Sequence, residues 1–96
     1  MEDVRVRKIV LDVLKPMEPS ILEVARNITA LEGVDGVCVD LLEIDKKVEN
    51  VKIAVRGKNL SYSEINQVIE STGATIHSID HVYTVREGTP RYEGID

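Results

Sequence analysis

Six polar side chains, in three segments of the chain, have the residue types that hold a small ligand or a metal ion. The predicted metal ligands are Asp12, Glu43, Asp45 and His77. The predicted ligand-binding residues are Asp12, Lys15, His77 and Asp80. Hard divalent cations prefer carboxylate oxygens, and an imidazole extends the choice to transition metals. If the fold brings these segments to one edge of a sheet, they can bind a divalent cation or a small polar ligand.

A structural interpretation of the same residues stays open. Asp12 and His77 can satisfy each other or nearby backbone amides, which removes the need for a ligand. Glu43 and Asp45 can serve only to keep a hairpin soluble. His81, the second histidine, lies four residues after His77. In a regular strand the two histidines are about 13 Å apart, which is too far for both to bind one metal ion.

Catalytic chemistry has less support in this sequence. Cys38 is the only cysteine and stands between two valines, so we interpret it as a core or interface residue rather than a nucleophile. The six glycines do not form a phosphate-binding loop in front of a helix. One enzymatic alternative stays open, an active site between subunits with His77 as general base and Asp12 orienting it.

The spacing of apolar residues predicts the elements that position these side chains. Strands are predicted over residues 4–14, 37–42, 51–56 and 74–86, and helices over residues 19–31 and from Ser61 to Gly73. The proline-containing segment 15–19 is predicted to end the first strand. In the last strand, Ile76, Ile79 and Val82 recur every three residues. A bulge near Ser78 would reconcile that spacing with a strand.

The order strand, helix, strand, strand, helix, strand predicts an α+β fold, a ferredoxin-like βαββαβ sandwich. We expect a four-stranded antiparallel sheet in the order 4-1-3-2, with both helices on one face. Residues 1–86 then form a single domain. Residues 87–96 form a C-terminal tail that is either mobile or docked on a partner.

The other face of this sheet carries no helix in the predicted topology. Its predicted apolar residues are Val10, Leu14, Leu42 and Ala54, and its charged neighbours are Lys8, Asp12, Lys52 and Arg56. This mixture is more apolar than a free surface requires. We therefore predict that a second copy of the chain packs against this face in a homo-oligomer.

Composition and charge narrow the choice of partners. The chain of 96 residues has 12 basic and 17 acidic residues and a net charge of −5, which disfavours nucleic acid and anionic membrane surfaces. No uninterrupted apolar run exceeds three residues, so neither a signal peptide nor a membrane span is predicted. We expect a cytoplasmic protein whose partners are other copies of itself and a small ligand.

Several strings of the sequence are similar to those of an archaeal protein family. They are LDVLKP (11–16), EPSILE (18–23), GVDGV (33–37), EID (43–45) and IHSID (76–80). Together they resemble the family called domain of unknown function 211 over residues 5–82. The resemblance implies a ferredoxin-like subunit in a cytoplasmic homo-oligomer, without an assigned reaction. In that family an acid commonly follows the last string, whereas His81 follows it in this chain.

Residues and resemblance together favour a non-enzymatic binding or regulatory module that forms a homo-oligomer. In this hypothesis, a divalent cation or a small ligand binds at a sheet edge or at a subunit interface, and no other cofactor is predicted. Two alternatives stay open. One is a purely structural assembly protein, and the other is a small enzyme whose active site forms between subunits.

Overall fold

The computed structural model describes residues 1–89, which form four strands and two helices. In chain order these are β1 (Val4–Pro16), α1 (Ile21–Thr29), β2 (Val34–Asp45), β3 (Val48–Gly57), α2 (Tyr62–Ser71) and β4 (Thr75–Arg86). The strands form one sheet in the order β2-β3-β1-β4, and every neighbouring pair is antiparallel. Read from the other edge, this is the predicted order 4-1-3-2. The α+β ferredoxin-like fold is therefore confirmed.

Serine residues begin both helices, and glycines follow their ends. The hydroxyl oxygens of Ser20 and Ser61 each accept a hydrogen bond from the amide three residues further on, at 3.3 and 3.4 Å, which satisfies one free N–H of the first turn. Gly33 and Gly73 follow the helix ends with φ angles of 91° and 88°. Glycine adopts this left-handed conformation without strain, so both helices end near the predicted positions.

The core lies between the sheet and the two helices. Its main buried side chains are Ile9, Leu11, Val13, Val51, Ile53 and Val55 from the sheet, and Val24, Ile28, Ile65 and Ile69 from the helices. On β1 and β3 these residues alternate with residues of the opposite face, because successive side chains of a strand point to opposite sides. One face of the sheet is therefore buried by helices, and the other carries none.

Two bulges explain the three-residue spacing in β4. Ile76, Ile79 and Val82 are three residues apart on β4, but their partners on β1 are Val13, Leu11 and Ile9, which are only two residues apart. In each interval one residue of β4 has no partner on β1, His77 in the first and Asp80 in the second. The two bulges flank Ser78, so the predicted irregularity at this position is confirmed. A third bulge lies in β1, where Arg7 is the unpaired residue.

Three strands are longer than predicted, and the end of β1 and the start of β2 show two of the reasons. β1 continues to Pro16, which pairs with Val48 at the end of the ladder. Proline is tolerated there because the terminal residue of a strand need not donate a hydrogen bond. β2 begins at Val34 rather than after Gly36, because a bulge at Asp35 allows this segment to join the sheet instead of forming a turn.

The strands are longer than the helices that cover them. They contain 10 to 13 residues and the helices contain 9 and 10. Such strands span about 33–44 Å, whereas such helices span about 14–15 Å. β2 continues to Asp45, beyond its predicted end at Leu42, and turns into β3 through Lys46 and Lys47. The β2–β3 hairpin therefore extends past the helices.

The last described residues contact the start of β1. The Glu87 N–H donates to the Asp3 carbonyl oxygen at 2.6 Å, and the Glu87 carboxylate pairs with the Arg5 guanidinium at 2.8 Å. The remainder of the predicted tail, residues 90–96, lies outside the described residues. Neither helix within residues 1–89 is long and apolar enough to cross a membrane.

Gly57 provides a test of the packing between β3 and the connection from α1 to β2. A Cβ atom at this position would overlap the Gly33 carbonyl oxygen and lie 2.6 Å from Leu60 Cδ2. We expect Gly57→Ala to lower the free energy of unfolding by about 1–3 kcal/mol. Gly36→Ala is the matched control, because no atom lies within 4 Å of its added Cβ. Equal stability of the two variants in urea would contradict the described packing.

Candidate functional site

Strand register arranges the helix-free face in four rows. Read across β2, β3, β1 and β4, the rows are Gly36, Arg56, Lys8 and Tyr83; then Cys38, Ala54, Val10 and His81; then Asp40, Lys52, Asp12 and Ser78; and then Glu43, Asn50, Leu14 and Thr75. Side chains in one row are direct neighbours across the strands. Asp12 and Glu43 thus lie in adjacent rows, but they are two strands apart, which corresponds to about 10 Å.

Asp12 belongs to a hydrogen-bonded group on this face. Its Oδ1 accepts a hydrogen bond from Asn50 Nδ2 at 2.5 Å, and the same Asn50 amide donates to the Val13 carbonyl oxygen at 3.4 Å. Lys52 lies directly beside Asp12 on β3. The carboxylate therefore has a partner within the chain, but this partner is the Asn50 side chain and neither His77 nor a backbone amide.

Glu43 and Asp45 lie close together near the end of the hairpin. Both are exposed, and both line a pocket of about 420 Å³ together with Leu14 and Asn50. Asn50 is the link to the rest of the predicted site, because it also donates to Asp12. The structure thus brings Glu43 and Asp45 together, and Asn50 lies between this pair and the Asp12 carboxylate.

His77 and Asp80 are the two bulged residues of β4, and both are exposed. The Asp80 carboxylate accepts a hydrogen bond from the Ser78 hydroxyl at 2.6 Å. This contact is local to the bulged segment and holds Asp80 next to its own strand. His77 lies beside the row that contains Asp12, on the opposite side of β1 from the hairpin acids.

Within residues 1–89, no group of three histidine, cysteine, aspartate or glutamate side chains is close enough to hold a metal ion. A cation bound by the predicted ligands therefore needs groups from a second copy of the chain. The separation of Asp12 and Glu43 by two strands points to the same requirement. The metal site stays a prediction about the assembled protein.

Lys15 points to the helix-covered side, away from the other predicted ligand-binding residues. Its side chain is 1% exposed. Its ammonium group donates to Glu49 Oε1 at 2.7 Å and to the carbonyl oxygens of Pro16 and Met17 at 2.8 and 3.4 Å. A buried ammonium with three acceptors is satisfied without a ligand. The geometry gives Lys15 a structural contact that closes the end of the core.

Three buried polar atoms on β1 and β4 are absent from the sequence-based site. Arg7 Nε, His81 Nε2 and the Tyr83 hydroxyl are buried and have no hydrogen-bond partner within the described chain. His81 and Tyr83 share rows with Val10 and Lys8 on the helix-free face. The sequence signals this group only through the three basic residues within positions 5–8. It does not reveal which of its residues the bulge leaves unpaired.

Comparison with known proteins supports the family resemblance. The model of the family domain of unknown function 211, described as "Uncharacterized ArCR", matches residues 7–88. An uncharacterized protein of the archaeon Methanocaldococcus jannaschii is 53% identical over 77 residues, which are 80% of this chain and 79% of that protein. The resemblance inferred from residues 11–16 and 76–80 is thereby confirmed. Neither description assigns a reaction.

The buried Lys15–Glu49 pair predicts a large effect on stability. Glu49→Leu leaves a buried ammonium without its carboxylate, and we expect it to lower the free energy of unfolding by about 3–5 kcal/mol. The double variant Lys15→Met/Glu49→Leu should recover part of that loss, because no unpaired charge is then buried, although the carbonyl oxygens of Pro16 and Met17 lose their donor.

Glu23→Leu is the control for this measurement. Its ion pair with Arg26 spans 3.5 Å between exposed side chains, so its loss should change stability by about 1 kcal/mol or less. Urea unfolding compares the three variants. A loss in Glu49→Leu no larger than that in Glu23→Leu would contradict the structural assignment of Lys15.

Proposed function

Because this chain belongs to the family called domain of unknown function 211, whose description names no reaction, we propose its function from its own surface. The protein is a cytoplasmic, non-enzymatic binding module that works as a homo-oligomer. Copies associate through the exposed end of the β2–β3 hairpin. A small polar ligand or a divalent cation binds where two copies meet.

A cluster of exposed apolar side chains at the end of the hairpin carries this proposal. This hairpin patch consists of Leu14, Leu41, Leu42, Ile44 and Val48, and each side chain is 42–56% exposed. The charged residues of the hairpin turn surround it. Leu14 lies on the helix-free face, whereas Leu41 and Ile44 pair with buried residues of β3 and lie on the other face, so the patch wraps around the end of the hairpin. Exposed apolar side chains with a polar rim are typical of interaction sites on soluble proteins. Burying such side chains against a second copy would stabilise the contact through the hydrophobic effect.

A second exposed apolar pair lies at the opposite edge of the sheet. Ile79 and Val82 on β4 are 49% and 52% exposed, although they pair with buried residues of β1. β2 and β4 are the two edge strands, and apolar edge strands favour association between chains. Because the two surfaces differ, contact between the hairpin patch of one copy and this β4 pair of the next joins copies head to tail.

The centre of the helix-free face favours contact at the hairpin over contact across the whole face. Val10, at that centre, is only 8% exposed in a single chain. Ala54 and His81 lie directly beside it on the neighbouring strands. Little apolar surface is therefore left to bury at the centre, whereas the hairpin patch exposes five side chains.

The contacts of the predicted site residues favour binding over catalysis. Three of the predicted site residues form hydrogen bonds with other side chains of the same chain. These pairs are Asp12 with Asn50, Lys15 with Glu49 and Asp80 with Ser78. An enzyme that uses His77 as general base needs a group that orients the imidazole. Asp12, the predicted orienting group, instead accepts its hydrogen bond from Asn50.

Native mass spectrometry of the full chain tests self-association. We expect an oligomer for the wild type and a monomer for Leu42→Glu, because association would bury the new carboxylate against apolar groups. Leu22→Glu is the matched control. Leu22 on α1 is 57% exposed and Leu42 is 56% exposed, but Leu22 lies outside the hairpin patch. A monomeric wild type at micromolar concentration, or the same assembly in both variants, would contradict the proposal.

Two further native mass spectrometry experiments test which surfaces form the contact and whether a cation is bound there. Val82→Glu alone should also be monomeric, and mixing it with Leu42→Glu should restore a dimer, because each variant keeps one intact surface. Divalent cation bound between copies should add mass that a chelator removes. An oligomer that retains no added cation would remove the metal part of the proposal and leave self-association standing.

A further inference from the structure

A pocket of about 310 Å³ lies at the end of the sheet where β1 begins and β4 ends, opposite the hairpin. Its lining includes Arg7, Asp35, Arg56, Tyr83, Val85 and Thr89. All of these residues lie at the same end of the sheet, on its four strands and in the segment after β4. Its volume is at the lower end of the range for small-molecule sites.

The bulge in β1 concentrates positive charge beside this pocket. Arg7 is the unpaired residue of the bulge, and Lys8 follows it in the row that also contains Arg56 and Tyr83. Three basic side chains thus lie on two adjacent strands of a chain whose net charge is −5. Asp35 is the acidic side chain of the described lining.

The other acidic residues near this end of the sheet have arginine partners of their own. Glu87 pairs with Arg5 at 2.8 Å, and Asp3 pairs with Arg86 at 2.6 Å. These two carboxylates therefore do not serve as partners for Arg7.

Two buried donors in the pocket lining have no acceptor within residues 1–89. Tyr83 is 7% exposed, and its hydroxyl is buried without a hydrogen-bond partner. The Nε–H of Arg7 is buried and unpartnered as well. Leaving a buried donor unsatisfied costs about 1–3 kcal/mol, so such groups in a native protein call for a partner. The Nε–H of Arg7 can only donate, and the Tyr83 hydroxyl can donate or accept, so a ligand that offers acceptors satisfies both groups.

We propose that this pocket binds a small molecule through an anionic oxygen group, a phosphate or a carboxylate. Its oxygens accept hydrogen bonds from Arg7 Nε and from the Tyr83 hydroxyl, and Lys8, which follows Arg7 on β1, adds favourable charge. Arginine and an oxyanion form strong charge-assisted hydrogen bonds. This site goes beyond the proposed function and does not rest on it, because its described lining shares no residue with the hairpin patch or with the β4 pair.

NMR titration of the ¹⁵N-labelled full chain tests this site. The probes are inorganic phosphate and, in a separate titration, succinate, both at constant ionic strength. We expect saturable shifts of amides in residues 5–9, 56–57 and 81–85 with at least one probe. Tyr83→Phe should weaken that binding about tenfold or more, the equivalent of one hydrogen bond to a charged group. Tyr62→Phe is the matched control, because Tyr62 is 39% exposed on α2, and its binding should equal that of the wild type.

Stability without ligand separates a binding role of Tyr83 from a structural one. Removing an unpartnered buried hydroxyl should leave the midpoint of thermal unfolding unchanged or raise it, whereas removing a structural hydrogen bond lowers it. Arg7→Gln should also weaken probe binding about tenfold or more. Arg26→Gln, an exposed arginine on α1, should not.

Three results would overturn the proposal. The first is the absence of saturable shifts with both probes at millimolar concentration. The second is unchanged affinity in both Tyr83→Phe and Arg7→Gln. The third is a lowered unfolding midpoint in ligand-free Tyr83→Phe. The same titration on Leu42→Glu keeps the site separate from self-association, because binding should persist there whether or not copies associate.

Discussion

Helices of 9 and 10 residues cannot cover strands of up to 13 residues, and this mismatch determines where the surface is open. The helices bury the middle of the sheet, where Leu11 and Ile53 are fully inaccessible. Beyond the helices the sheet continues at both ends. One end is the hairpin patch, and the other holds the basic pocket beside Arg7. The two proposed binding surfaces thus lie at opposite ends of the sheet.

The Lys15–Glu49 pair lies at the boundary between the covered and uncovered parts of the sheet. β1 changes there from buried apolar residues to the segment that leads into α1. An apolar side chain would leave the carbonyl oxygens of Pro16 and Met17 without the donor that Lys15 supplies. The ammonium satisfies these oxygens, and Glu49 compensates its charge. Burial of this pair is tolerated because the ammonium donates to two carbonyl oxygens in addition to Glu49.

The sequence predicts the elements and their order because these depend on local patterns. Period-two runs mark β1 and β3, and Ser61 marks the start of α2. The three-residue spacing in β4 signals an irregularity, but it does not say that His77 and Asp80 are the residues left unpaired. That outcome depends on pairing with β1, which is distant in the chain.

The candidate site was harder to predict for the same reason. The sequence suggests that Lys15 is a surface cation, but the strand register places it opposite Glu49, with which it forms a buried ion pair. The sequence suggests that Asp12 binds a cation or a small ligand, but in the structure Asn50, 38 residues away, donates a hydrogen bond to its carboxylate. The Tyr83 hydroxyl becomes informative only when its burial and its missing partner are known. Residue types identify candidates, and long-range pairing decides which of them are available.

Small-angle X-ray scattering of the full chain tests the central claim, that a second copy covers the end of the hairpin. A single copy has a Cα radius of gyration of 13.8 Å and a longest dimension of 45 Å. We predict that the wild type has clearly larger values for both, and that Leu42→Glu returns to the dimensions of one copy. Wild-type scattering that matches a single copy at every workable concentration would contradict the account.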